Sequence, residues 1–179
     1  MKADKLFLDA NILFSVAYGS PGLERLWNLA EKGHCELIAS QYVIEEAKRN
    51  LDQQKHLDKL NGCLSKVSMV PEADPSIPCP IDLPDKDSPV LMAAIAAKAD
   101  YLLTGDVTHF GKYFGKTIMG LGISTARDYL LSNIRQSAQS PQRQEPVCDS
   151  SPKLYDLDSS AGTTNRLFNW EDPDAPQKG

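Results

Sequence analysis

Apolar and polar positions fall into two periods along residues 1–134, and the periods alternate. KLFLDAN has an apolar burst at Leu6, Phe7 and Leu8 that runs into polar residues, which predicts a short strand. SPGLERLWNLAEKG has helical spacing, with Pro21 at its start and Gly33 past its end. CELIAS predicts a second strand, and Ser40 is placed to cap the helix QYVIEEAKRNL, whose Val43, Ile44, Ala47 and Leu51 recur on one face. A helix around HLDKLNGCLSK and a short strand at KVSMV follow. EADPSIPCPIDLPDKDSP holds five prolines and must be a loop. SPVLMAAIAAKA predicts a helix that accepts Pro89 in its first turn, and YLLTGD a buried strand that stops at Gly105. A short helix near VTHFGKYFG, a small strand at TIM and a helix at STARDYLLSNI complete the pattern. Strands separated by helices predict an α/β fold: a central parallel sheet with helices on both faces.

From Arg135 onward the pattern dissolves into Ser, Gln, Pro and Asp. The expected organisation is therefore a domain over 1–134 and a polar, solvated C-terminal tail over 135–179. Leu167, Phe168 and Trp170 are the tail's apolar island and a candidate docking motif. Over the whole chain of 179 residues the formal net charge is −5, with 41% hydrophobic and 24% charged residues. That composition supplies one core and excludes disorder throughout. There is no run of roughly 18 apolar residues, as a membrane span needs, and no signal-peptide pattern, so a cytoplasmic protein without membrane contact is expected. An acidic chain is not built to coat nucleic acid, because such binding rests on many Lys and Arg contacts to phosphate. Acidity does not exclude an enzyme that cuts it.

Cys35, Cys63, Cys79 and Cys148 form no C-x-x-C pair, and His34, His56 and His109 lack metal-ligand spacing. A metal would then be held by oxygen ligands, which points to hard cations. Asp9 follows the run LFL and Asp106 follows YLLTG, so two parallel strands would bring both carboxylates to the carboxyl edge of the sheet, where open α/β sheets bind ligands. Asp87 precedes the helix at Ser88 and Pro89, as a metal ligand or as a cap for backbone amides. In the Glu45-Glu46 pair, Glu46 lies roughly 115° from the centre of the buried stripe and Glu45 roughly 145°, which favours Glu46 as the inward-leaning acid. Gathering four carboxylates is costly, since two unit charges ~4 Å apart repel by ~4 kcal/mol at an effective dielectric of about 20. A divalent cation such as Mg²⁺ or Mn²⁺ removes that cost and engages phosphate.

FLDANIL with Asp9, the SQYVIEEAKRNL helix, DKDSPVLMAAIAAKADYLLTGD and the following VTHFG together resemble the PIN-domain ribonucleases of the bacterial toxin type, over about residues 4–132. The resemblance implies a three-layer α/β/α sandwich whose acids bind Mg²⁺ or Mn²⁺ and hydrolyse RNA. It assigns the four acids to Asp9, Glu46, Asp87 and Asp106, with Glu45 adjacent to the second, and it makes Asn11 and Thr104 supporting polar residues. Lys48, Arg49, Lys86, Lys112 and His109 become candidate RNA contacts. It further implies a cognate antitoxin and a homodimer, and says nothing of the tail. Two other readings were open to this sequence. A haloacid-dehalogenase-type phosphotransferase needs a second aspartate two residues after the first, where this chain has Asn11. A metal-free PIN-like module binding RNA or protein would lack an acid, whereas all four positions are filled.

Overall fold

Three consecutive side chains of the first strand, Leu6, Phe7 and Leu8, are fully buried, as are Leu102 and Leu103 of a neighbouring strand. Strands buried on both faces need a layer of helices on each side, and this is the architecture found. The computed structural model describes residues 3–138, all within a unit spanning Met1–Pro141. The tail residues Leu167, Phe168 and Trp170 lie outside the described residues.

In chain order the elements are β1 (Asp4–Leu8), α1 (Ala10–Ala17), α2 (Pro21–Glu31), β2 (Cys35–Ser40), α3 (Gln41–Arg49), α4 (Gln54–Leu64), β3 (Val67–Val70), α5 (Ser88–Ala96), β4 (Tyr101–Leu103), α6 (Val107–Phe110), a 3-10 turn at Gly111–Tyr113, β5 (Thr117–Ile118), β6 (Leu121–Ser124) and α7 (Ala126–Ala138). The sheet order is β3-β2-β1-β4-β6-β5. Every pairing is parallel except that of β5 with β6, so the sheet is mostly parallel with one antiparallel edge. The chain winds outward from β1 to β2 and β3, then crosses back to β4 on the other side of β1. Right-handed crossovers therefore put α1–α4 on one face and α5 on the other. The order reverses between β1 and β4, and at such a switch point the loops diverge and leave a crevice beyond the carboxyl ends of the strands.

Two elements depart from the pattern read along the chain. ANILFSVA forms α1 immediately after β1, with Asp9 as the one residue between them. Its apolar positions Ile12, Leu13, Val16 and Ala17 are buried at helical spacing, but the lack of a turn made the run look like a strand's polar exit. LGIS forms β6, too short and too glycine-rich to read as a strand alone, and its parallel register with β4 defines it. Ser40 occupies the N-cap position of α3 but makes no capping bond. Its hydroxyl is buried without a partner. Instead, Glu72 accepts the first-turn amide of Tyr42 at 2.8 Å, from 30 residues away in sequence. Cys35, Cys63 and Cys79 are free, Cys148 lies outside the described residues, and no described helix is long and apolar enough to cross a membrane.

Gly122 of β6 is present for space. A Cβ there would lie 2.8 Å from the Tyr101 ring, which is itself packed edge-on against Tyr129 with centroids 5.3 Å apart. Because the added carbon would press on that ring and also approach the Asp100 carbonyl at 3.4 Å, Gly122→Ala is expected to cost roughly 1–3 kcal/mol through overpacking. Urea denaturation measures it; an unchanged midpoint would mean that the Tyr101–Tyr129 pair yields.

Candidate active site

The cleft opens at the switch point. Asp9, Ala10, Asn11, Phe14, Glu46, Asn50, Lys86, Asp87 and Asp106 enclose about 420 Å³. The acids come from four places: the exit of β1, the middle of α3, the loop into α5, and the exit of β4. No short stretch of chain could assemble them.

Asp9 is only 7% exposed and its oxygens are all employed. Oδ1 accepts the Ala10 amide at 2.7 Å, so the carboxylate caps α1. Oδ2 accepts the Thr104 hydroxyl at 2.6 Å and the Asn11 amide at 2.7 Å. The Thr104 hydroxyl in turn accepts from Asn11 Nδ2 at 3.1 Å and from the Asp106 amide at 3.0 Å. Asn11 Oδ1 closes the circuit by accepting the Gly105 amide at 2.8 Å. Asn11 and Thr104 thus bind the end of β1 to the end of β4 and hold Asp9 in one orientation. Burial raises the Asp9 pKa; the Thr104 and Ala10 hydrogen bonds lower it, and the charges of Glu46 and Asp87 raise it further.

Asp106 divides its two oxygens. Oδ1 caps α6 by accepting the amides of Thr108 at 2.9 Å and His109 at 3.1 Å, while Oδ2 lies 2.6 Å from His109 Nδ1. Burial raises its pKa, but these amides and the imidazole outweigh burial, and the net shift is downward. Asp87 stands at the N-cap of α5 yet makes no capping bond. Its pKa is raised chiefly by burial, with Asp106 adding to the rise and Lys86 and His109 opposing it. The loop carrying Asp87 is pinned to α3 by the Tyr42 hydroxyl, which donates to the Lys86 carbonyl at 3.0 Å.

Of the glutamate pair, Glu46 faces the cleft. Glu45 lies on the exposed side, accepting from Gln41 at 2.9 Å and pairing with Arg49 at 3.5 Å. Among the cationic candidates Lys86 lines the cleft. Lys48 and Arg49 lie on the exposed side of α3, and the Lys112 ammonium sits 5.0 Å from the Tyr113 ring centre. Phe14 and Asn50 also line the cleft and went unread in the sequence. Phe14 depends on the unforeseen α1, and Asn50 follows Glu46 by four residues, one helical turn that marks it in retrospect.

The donor set accommodates a divalent cation. Asp87 Oδ2 is buried without a hydrogen-bond partner, although His109 Nδ1 lies 3.1 Å away. An imidazole nitrogen carries at most one hydrogen, and the shorter contact to Asp106 takes it. Asp87, Asp106 and His109 each offer a ligand atom, all within 4.8 Å of one another. Asp9 and Glu46 share the cleft but not that close group. The expectation of oxygen donors alone therefore does not describe this cluster, because a histidine nitrogen stands inside it.

The family described as PIN domain matches residues 5–108, a stretch containing all four acids. The chain belongs to the PIN-domain family. PIN domains are generally nucleases. Among solved structures, a chain from the crystal structure of VapBC2 of Rickettsia felis bound to a promoter DNA fragment is similar at 18% identity and a TM-score of 0.49. The match covers 68% of this chain and 98% of that one. No curated protein matches this PIN-domain chain in sequence.

Thr104 is the node on which the network turns. Thr104→Val should cost about 1–3 kcal/mol by leaving buried polar groups unpaired, and Thr104→Ser should recover most of it, as read by chemical denaturation. Equal stability of all three proteins would refute the node. The carboxylates give a signed pH dependence in the metal-free protein. Asp87 holds its proton to higher pH when folded than when unfolded, so its contribution is most favourable below the ordinary carboxylate pKa and is lost as pH rises through the raised value. Asp87→Asn should therefore stabilise the chelator-treated protein at pH 7, by on the order of 1 kcal/mol or about 3 °C in Tm, with the gain shrinking toward pH 4. Asp106, shifted downward, has the opposite sign: its contribution is present above the ordinary value and is lost as pH falls through the lowered one.

Proposed function

We propose that this PIN domain is a metal-dependent endoribonuclease that hydrolyses RNA phosphodiester bonds, and that it is the toxin of a toxin–antitoxin pair. The observation that carries the catalytic part is the cleft itself: four carboxylates from four separate elements around a buried Asp87 oxygen that has no hydrogen-bond partner. Protein folding gains nothing from gathering like charges in this way, which makes a bound cation the economical reason for the arrangement. Mg²⁺ or Mn²⁺, when bound, supplies a water of lowered pKa and offsets charge on the phosphoryl oxygens.

In this reading Asp9, Asp87 and Asp106 hold the metal, and Glu46 ligates it or orients the attacking water from across the cleft. Asn11 and Thr104 keep Asp9 from turning away. Lys86, as the cation of the cleft wall, contacts the phosphate. The toxin assignment rests on the likeness of the FLDANIL, DKDSP and LLTGD segments to toxin-type members. With it come an antitoxin that covers the acidic cleft and a homodimer, both as part of the proposal.

The decisive assay mixes purified protein with single-stranded RNA in Mg²⁺, in Mn²⁺ and in chelator. Cleavage should require metal and fall by about a hundredfold or more in Asp9→Asn, while Glu45→Gln stays within about twofold of the parent. Cleavage that survives chelator or Asp9→Asn, or that is absent with both metals, would end the metal-hydrolysis reading. Growth arrest on expression, relieved by a co-expressed genomic neighbour, tests the toxin role separately.

A further inference from the structure

The geometry points to His109 as a nitrogen ligand of the metal centre, so that this cleft selects Mn²⁺ over Mg²⁺. The inference rests on the metal-binding reading above and adds a ligand and a metal preference to it. Its starting point is the position of one atom. His109 Nδ1 lies 3.1 Å from Asp87 Oδ2 and 2.6 Å from Asp106 Oδ2, deeper in the carboxylate cluster than a side chain reaching outward for substrate would sit.

Neighbouring ligands on an octahedral ion with bonds of ~2.1 Å stand about 3.0 Å apart. The Asp87–His109 spacing of 3.1 Å already has that value. The Asp106–His109 spacing of 2.6 Å is a hydrogen-bond distance. It has to open by about 0.4 Å when a cation replaces the proton between the two atoms, a movement within the range of small side-chain torsions.

The surrounding bonds keep these donor atoms available. Both amide contacts to Asp106 use Oδ1, which leaves Oδ2 turned toward the cluster. Asp87 spends neither oxygen on capping α5, and its Oδ2 has no hydrogen-bond partner. His109 stands on the short helix that Asp106 caps, three residues further on, and the helix is anchored by the fully buried Phe110. The fold therefore gathers two carboxylate oxygens and one imidazole nitrogen within 4.8 Å of one another.

Donor chemistry then sets the preference. Carboxylate and water suit Mg²⁺ and Mn²⁺ alike, so the imidazole separates them: it adds affinity for first-row transition ions, of which Mn²⁺ is the weakest binder, and little for magnesium. Mn²⁺ accepts both donor types, keeps the octahedral geometry, and is paramagnetic, which makes the bond directly observable.

The test loads the full chain with Mn²⁺ alone and records pulsed electron paramagnetic resonance. Modulation from a directly bound ¹⁴N is expected, replaced by the ¹⁵N pattern when the protein is grown on ¹⁵N-histidine. Of the three histidines only His109 stands in the cluster with Asp87 and Asp106, so the label assigns the nitrogen to it even if a variant folds poorly. In His109→Gln the modulation should vanish, and Mn²⁺ affinity should drop about tenfold or more while Mg²⁺ affinity changes less than about threefold. Bound Mn²⁺ without nitrogen modulation, or modulation that persists in His109→Gln, overturns the inference and leaves the metal site standing. Failure of the protein to bind Mn²⁺ at all removes the metal site and this inference together.

Discussion

A carboxylate placed almost out of reach of water at the end of a central strand is the constraint from which the site follows. Burial opposes a charge on Asp9 and raises its pKa, and the Ala10 amide, the Thr104 hydroxyl and the Asn11 amide offset part of that cost by donating to it. Those donors come from both sides of the switch point, so the carboxylate also fastens β1 to β4. The register that pairs Leu8 with Leu103 brings Asp9 and Thr104 level with each other. A slip of one residue would turn the side chains to opposite faces and dismantle the network. Sheet pairing and site geometry are in this sense one arrangement.

Around that fixed point the remaining acids are unequally satisfied, and the inequality is informative. Asp106 is stabilised as an anion by two backbone amides and an imidazole, whereas Asp87 is half-buried with an oxygen left over. Lys86 and His109 lie close to Asp87 but do not provide a hydrogen bond to that oxygen. Such a partial settlement is what a cation site needs: rigid enough to define ligand positions, short enough of positive charge to favour an ion. A fully paired set of carboxylates would be more stable without metal and would bind it less well.

Much of this was legible along the chain because the signals are local. Three apolar residues running into Asp9, the helical stripe of Val43, Ile44 and Ala47, and the proline-dense loop each reflect only nearest neighbours in sequence. The lean of Glu46 toward the buried stripe is a matter of angle on one helix. The misses have physical causes of the same clarity. α1 begins one residue after β1, so no turn announces it, and β6 exists through its partner β4. Ser40 has the composition of a cap, but the amide within its reach is taken by Glu72, which sequence distance conceals. His109 has no metal-ligand spacing with the other histidines, and its nearest relevant partner outside its own helix, Asp87, is 22 residues away.

The sequence by itself determined the alternation of strand and helix, the placing of Asp9 and Asp106 at strand exits, and the family to which the chain belongs. Each of these is encoded in short runs whose period or punctuation acts within a few residues. Tertiary structure alone decided which acids share a cleft, that Thr104 serves Asp9 from the neighbouring strand, and that the His109 imidazole meets Asp87. Those outcomes depend on through-space distances of 2.6–3.1 Å between segments up to 95 residues apart. Only the order of the strands in the sheet brings such segments within reach of one another.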